Sequence, residues 1–231
     1  LMNMKNKKLI IIGAGETANL AYEYFTYDSE YEVVAFSVNS SYLIDSRFRG
    51  LPVVPFENLE EMFNKDEYYA FVAMAGEKLS LSRSKLYREV KNKGYKIASY
   101  ISSNAFIWHN VTIGENCFIM ENNVLQPFVK IGNNVVIWSG NHIGHQSIVH
   151  DNCFITSHCV IAGYCEIKQN TYLGINTSIA NNIIIEKDCY IGMNSVIGKN
   201  TRAGGFYASN HSKRLAISSY DFLGVDNNEL D

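Results

Sequence analysis

Between residues 107 and 197 an aliphatic side chain recurs at every sixth position without a slip: Ile107, Ile113, Ile119, Leu125, Ile131, Ile137, Ile143, Val149, Ile155, Ile161, Ile167, Leu173, Ile179, Ile185, Ile191 and Ile197. Glycine often follows, as in Ile113-Gly114, Ile143-Gly144 and Ile191-Gly192. This hexad is the signature of a parallel β-helix, whose coils bury their aliphatic residues only by stacking on one another. In the same phase, Cys117, Cys153, Cys159, Cys165 and Cys189 each stand two positions before an aliphatic anchor. Side chains two apart on a strand share a face, so all five cysteines are expected inside the prism as small buried hydrophobes, not as ligands or nucleophiles.

A chain of 231 residues, 47% hydrophobic and 19% charged, has room for one large domain or two small ones. Its formal net charge of -3 provides no basic field, so neither nucleic acid nor a membrane surface is expected as a partner. No apolar run approaches the roughly 18 residues of a membrane span, and the polar start LMNMKNKK is no signal-peptide core. A cytoplasmic location is expected.

Residues 8 to 101 alternate strand and helix patterns, from KLIIIGAG and ETANLAYEYF to SLSRSKLYREVKNK and YKIASYI, predicting an α/β sandwich with a largely parallel sheet. Gly94 stands where a helix C-cap glycine belongs, and Gly50 and Pro52 punctuate a connector through LPVVPF. The run LIIIGAGETA sets Gly13, Gly15 and Ala18 in G-x-G-x-x-A spacing between strand and helix, which lets backbone approach a pyrophosphate at a helix N-terminus. A turn serving only strand-helix packing is the alternative. The acid expected at the end of the second strand is missing, since the chain reads Phe36, Ser37, Val38, Asn39, and this weakens a redox dinucleotide role.

Together these two halves resemble the hexapeptide-repeat sugar acyltransferases typified by the sialic acid O-acetyltransferase family and by the N-acetyltransferases of nucleotide-linked 4-amino-6-deoxy sugars. The resemblance implies an α/β Rossmann-like domain over 1–101 that holds a nucleotide sugar. It implies an all-β left-handed parallel β-helix over 102–203, with three hexads per coil, and a C-terminal tail over 204–231. It also implies a homotrimer with acetyl-CoA between neighbouring β-helices, serving surface-glycan synthesis of the lipopolysaccharide O-antigen kind. The chain departs from the family's pattern at GAGETA and in the tail FYASNHSKRLA.

Acyl transfer from a thioester needs a base for the nucleophile's proton and a donor for the oxyanion. The family's catalytic histidine lies in a V-x-H-[DE]-C-like pattern, and HIGHQSIV places that role on His145. Gln146 follows it where an acid is usual; an amide can orient an imidazole but not neutralise imidazolium, which tilts the reading toward an amine acceptor. With three hexads per coil, His109, Pro127, His145, Gly163, Asn181 and Lys199 form one column. Gly163 is expected to leave an opening beside the imidazole, with its N–H toward the thioester oxygen; a corner glycine chosen for positive φ is the other reading. Gly13 and Gly15 are assigned to the pyrophosphate and Ser37 and Asn39 to base or ribose. Lys199, Lys213 and Arg214 join Gly163 as candidates for acetyl-CoA, the last two otherwise belonging to a solvated tail. Asn141, on the inward phase, is expected to cap an internal backbone group.

The function these assignments point to is acetyl-CoA-dependent N-acetylation of a nucleotide-linked amino sugar of the 4-amino-4,6-dideoxy type, by direct transfer without an acyl-enzyme. O-acetylation of a sialic-acid-like sugar is the alternative within the fold. His145 and His150 also form H-x-x-x-x-H, which resembles the zinc-binding γ-class carbonic anhydrases. His109 stands two coils from His145, about 9.6 Å at strand spacing, too far for a shared ion with bonds of about 2.0 Å, so only a cross-chain geometry would serve. No metal is expected. A third class is a module that only trimerises nucleotide domains. His142 and His158 are read as surface or interface residues.

Overall fold

The computed structural model describes residues 5–210 and 212–224; positions 1–4, 211 and 225–231, at the ends of the first and last expected segments and within FYASNHSKRLA, lie outside the described residues. The first half runs β1 (Lys7–Ile12), α1 (Glu16–Tyr27), β2 (Tyr31–Val38), β3 (Arg47–Phe48), β4 (Leu51–Pro55), α2 (Leu59–Met62), β5 (Tyr68–Val72), α3 (Leu81–Asn92) and β6 (Lys96–Ile97). Its sheet has the order β3-β4-β2-β1-β5-β6, parallel except for the β3–β4 hairpin. A parallel sheet covered on both faces needs apolar side chains on both, and β1 supplies them: Leu9 and Ile11 join the cluster under α1, Ile10 and Ile12 the cluster under α3. Gly94 closes α3 at φ +86, its N–H on the Lys91 carbonyl at 2.9 Å, as expected of a C-cap.

LPVVPF is not a connector but β4. Val53 and Val54 are buried and pair with Phe36 and Ser37 of β2. Pro52, which has no N–H for a ladder, is exposed opposite Arg47 in the hairpin, and Gly50 at φ +78 closes the turn.

In the second half, two-residue strands recur every six residues and stack into three parallel sheets, the faces of a left-handed β-helix. Phe118↔Val136 and Ile119↔Ile137 exemplify the pairing of each residue with the one 18 further on. The first face runs from Tyr100–Ile101 through Phe154–Ile155 to Phe206–Tyr207, the second from Phe106–Ile107 to Val196–Ile197, and the third from Thr112–Ile113 to Ile184–Ile185. The β-helix therefore extends past the expected 102–203 at both ends. Ile101 already stands in hexad register, six residues before Ile107. At the far end Tyr190 pairs with Phe206, 16 residues on, where the register breaks but the face continues.

The aliphatic anchors and the five cysteines share one interior cluster. Burial pushes the thiols of Cys117 and Cys153 up to about 12 and that of Cys159 to about 11, so these three are not thiolates at neutral pH. Asn141, fully buried, takes the Cys159 N–H on Oδ1 at 2.7 Å, the internal cap expected of it.

The α/β domain packs on the first face, where Phe71 meets Phe118 edge-on at 5.5 Å. Polar ties flank this contact. Asn116 Oδ1 accepts the Val72 N–H at 2.8 Å, Tyr24 donates to Glu121 at 2.8 Å, and Tyr100 donates to Asp28 at 2.7 Å. Arg83, 1% exposed, donates through Nη2 to Ser80 Oγ and to the carbonyls of Asn152 and Cys153, fastening α3 to a coil. Burial lowers its guanidinium to about 10, and no carboxylate among the described residues pairs with it.

Candidate active site

From 116 to 194 each hexad turns its corner through a residue with left-handed φ, and Asn tolerates that conformation better than other side chains with a Cβ. Asn116, Asn122, Asn134, Asn152, Asn170, Asn176, Asn182 and Asn194 fill most of these positions. The corner between the second and third faces departs from the rule over three successive coils, with Phe128 (φ 67), Gln146 (φ 62) and Tyr164 (φ 58), before Asn182 restores it. Left-handed backbone at bulky residues is costly and tends to gather at functional sites. This is the corner that carries His145.

The turn from His142–Ile143 to Ile148–Val149 presents His145 to solvent, its N–H on Gln126 Oε1 at 3.0 Å. Its ring stands perpendicular to Tyr164, with centroids 4.9 Å apart and an interplanar angle of 89°. A Cβ on Gly163 would lie 2.9 Å from both Cε1 and Nε2 of the imidazole. The ring thus occupies the space that the glycine leaves, where the sequence had suggested an opening. Gly163 is absent from the residues with positive φ, so corner conformation does not explain the glycine; room for His145 does. Its N–H donates to Asn181 Oδ1 at 3.1 Å, so a thioester oxygen would have to share or displace that acceptor. Gln146 is exposed, and its side-chain amide makes no hydrogen bond among the described residues. Tyr164 escaped the sequence reading, although the break in the corner-asparagine rule at 128, 146 and 164 marks it.

The other expected residues gather at the carboxyl ends of β1 and β2, where open α/β sheets bind ligands. Gly13, at φ +130, is imposed by packing, since a Cβ there would stand 2.6 Å from the Ala73 carbonyl oxygen. Gly15, the N-cap of α1, is different: it is exposed, and none of the described residues beyond its chain neighbours lies within 4 Å of where its Cβ would be. The chain's own packing does not require a glycine at 15. Ser37 is fully buried, its carbonyl accepting the Gly13 N–H at 2.7 Å and its hydroxyl unpartnered among the described residues; Asn39 is exposed. Ser37 therefore lies beneath the surface that Asn39 lines. Glu57, just past β4, brings a carboxylate to the end of β2, taking the Ser40 N–H at 3.2 and 3.1 Å and the Ser40 hydroxyl at 2.7 Å. Those hydrogen bonds hold its carboxyl below the usual range. The sequence hid this acid because a spatially adjacent strand, not β2 itself, supplies it.

Lys199, Lys213 and Arg214 are exposed, Lys199 in the His145 column. His150 Nε2 is paired with Glu166 Oε1 at 2.8 Å, His109 and His158 are exposed, and His142 is half-buried on the second face. No group of three or more His, Cys, Asp or Glu side chains is placed to hold a metal among the described residues. No helix of the described residues is long and apolar enough to cross a membrane.

Residues 128–163 and 164–199 match the family model described as bacterial transferase hexapeptide (six repeats). No curated protein matches the chain significantly. Among solved structures, PerB from Caulobacter crescentus in complex with CoA and GDP-perosamine is similar over 87% of this chain and 94% of that chain, at 21% identity and a TM-score of 0.78. The acetyltransferase domain of PglB from Neisseria gonorrhoeae, in complex with acetyl coenzyme A, is similar over 91% of this chain and 100% of that chain, at 19% identity and a TM-score of 0.76. WeeI from Acinetobacter baumannii is similar over 91% and 100% at 21% identity, with a TM-score of 0.74. The chain thus carries bacterial transferase hexapeptide repeats on a fold that it shares, α/β domain included, with these structures.

Proposed function

We propose that the chain is an acetyl-CoA-dependent N-acetyltransferase acting on a nucleotide-linked amino sugar of the 4-amino-4,6-dideoxy type, in the cytoplasm and for surface-glycan (lipopolysaccharide O-antigen) synthesis. The observation that carries the reading is His145, an exposed imidazole confined between Gly163 and Tyr164 on a hexapeptide corner. CoA and GDP-perosamine in the similar PerB structure support the substrate class.

The acceptor's amine nitrogen attacks the thioester carbonyl carbon, and His145 takes the proton that the nitrogen loses. The tetrahedral oxyanion forms beside the Gly163 N–H if Asn181 yields it. The C–S bond then breaks, the amide remains on the sugar, and imidazolium returns its proton to the CoA thiolate. An already nucleophilic amine suits a base that has Gln146 as its neighbour rather than an acid, and this favours N- over O-acetylation. Lys199, exposed about 14 Å along the column at three strand spacings, and the exposed Lys213 and Arg214 are assigned to the CoA phosphates in this reading. Gly13, Gly15 and Asn39 hold the diphosphate and nucleoside.

His145 and the nucleotide end belong to different copies in this reading. The α/β domain covers the first face and reaches its flanking corners at Glu121 and Asn116, whereas His145 stands on the third corner. A homotrimer that brings one copy's nucleotide domain to another's His145 completes the site. The test is thiol release from acetyl-CoA with dTDP-, UDP- and GDP-linked amino sugars, compared with His145→Ala.

A further inference from the structure

Along the corner between the third and first faces, Asn116, Asn134, Asn152, Asn170 and Asp188 form one column, all left-handed with φ from 53 to 64. Each asparagine donates from Nδ2 to Oδ1 of the next residue, at 2.8, 2.8, 3.1 and 2.7 Å. Every donor points the same way, and the ladder ends on the Asp188 carboxylate. Asp188 is the one acid in a column of asparagines, and no ion pair among the described residues engages it.

Asp188 also lines a cleft of about 530 Å³ with Gly76, Lys78, Tyr172, Tyr190 and Phe206. One wall is a ring stack, Phe154 on Tyr172 at 5.5 Å and Tyr172 on Tyr190 at 4.6 Å. The other is the loop after β5, where Lys78, Leu79 and Ser80 hold successive left-handed φ of 49, 54 and 60, a conformation costing roughly 1–2 kcal/mol per residue. The cleft is lined from Ala75 to Leu79 by the loop that leaves the carboxyl end of β5, the strand paired with β1. That loop begins at Ala73, whose carbonyl oxygen would stand 2.6 Å from a Cβ on Gly13, so Gly13 and the cleft lie on neighbouring strand ends.

A fixed carboxylate suits a neutral amino group, whose N–H bonds it accepts while the nitrogen lone pair stays free for attack. We infer that Asp188 receives the acceptor's amino group in this cleft and so selects amino sugars over their hydroxyl counterparts. This inference rests on the nucleotide-amino-sugar reading and names the residue that recognises the amine.

Asp188→Asn separates recognition from structure, because Asn at 188 still offers Oδ1 to Asn170, as Asn134, Asn152 and Asn170 each do to the asparagine before them. Calorimetric titration would use wild type and variant with GDP-, UDP- and dTDP-linked 4-amino-4,6-dideoxyhexoses and with free GDP, UDP and dTDP, after equal thermal midpoints establish folding. The expected result is an amino-sugar affinity lowered about 10- to 100-fold with free diphosphate affinity unchanged. Unchanged amino-sugar affinity overturns the inference, as does an equal loss for the free diphosphate. Wild-type binding of a free diphosphate with no gain from the amino sugar overturns it too, while leaving the nucleotide site standing. Failure of wild type to bind all six ligands sinks the function itself, and the inference with it.

Discussion

The imidazole of His145 fills the volume that Gly163 leaves empty, its Cε1 and Nε2 each 2.9 Å from where a Gly163 Cβ would stand. Gly163→Ala must therefore push the ring aside, whatever the N–H does. Displacing a base by about 1 Å costs roughly 100-fold in turnover, so kcat is expected to fall by that order with KM nearly constant. Wild-type kcat in Gly163→Ala would show that the ring's position does not matter.

Gln146→Glu supplies the acid that the corner lacks. A carboxylate beside an imidazole favours the protonated ring, so the acidic limb of the kcat/KM profile is expected to move up by about one pH unit. Activity on a hydroxyl acceptor should rise relative to the amine. A profile that stays in place would mean that residue 146 does not face the working imidazole.

Acid should loosen the junction between the halves. Burial pushes the Asp28 carboxyl up, but hydrogen bonds from Ser103, Tyr100 and Ser102 outweigh it and leave the value below 3.8; Glu121 lies below 4.5 by the same balance, with Ser139 and Tyr24 as donors. Carboxyls lowered in the folded state stabilise it above their unfolded values and lose that contribution as pH falls through the folded ones. The thermal midpoint of wild type is expected to drop more steeply below about pH 4.5 than that of Asp28→Asn with Glu121→Gln. Parallel curves would contradict this.

Sites shared between copies should complement one another. His145→Ala and Gly15→Phe are each expected to be inactive. Co-refolded, they should regain roughly a quarter of wild-type activity, because random mixing pairs an intact base with an intact nucleotide end that often. A mixture as inactive as its components would place both halves of the site in one chain.

The β-helix is readable in the sequence because each coil repeats one short local rule, so the anchors, the inward cysteines and the Asn141 cap follow from phase alone. The His145–Gly163 neighbourhood follows too, since an unbroken register fixes who stacks on whom. What stays hidden comes from between elements. Glu57 reaches β2 from the end of β4, itself disguised by Pro52 and Pro55. Ser37 reads as a strand-end polar residue, yet the neighbouring strands bury it. Arg83 and the cleft beside Asp188 exist only once the α/β domain lies on the first face.

Thiol release from acetyl-CoA with the nucleotide-linked amino-sugar panel, in wild type and His145→Ala, tests the central claim most directly. The account requires acceptor-dependent release by wild type and a loss of roughly 100-fold or more in the variant, as removal of a general base demands. Full activity in His145→Ala, or no release with any amino sugar, would contradict it.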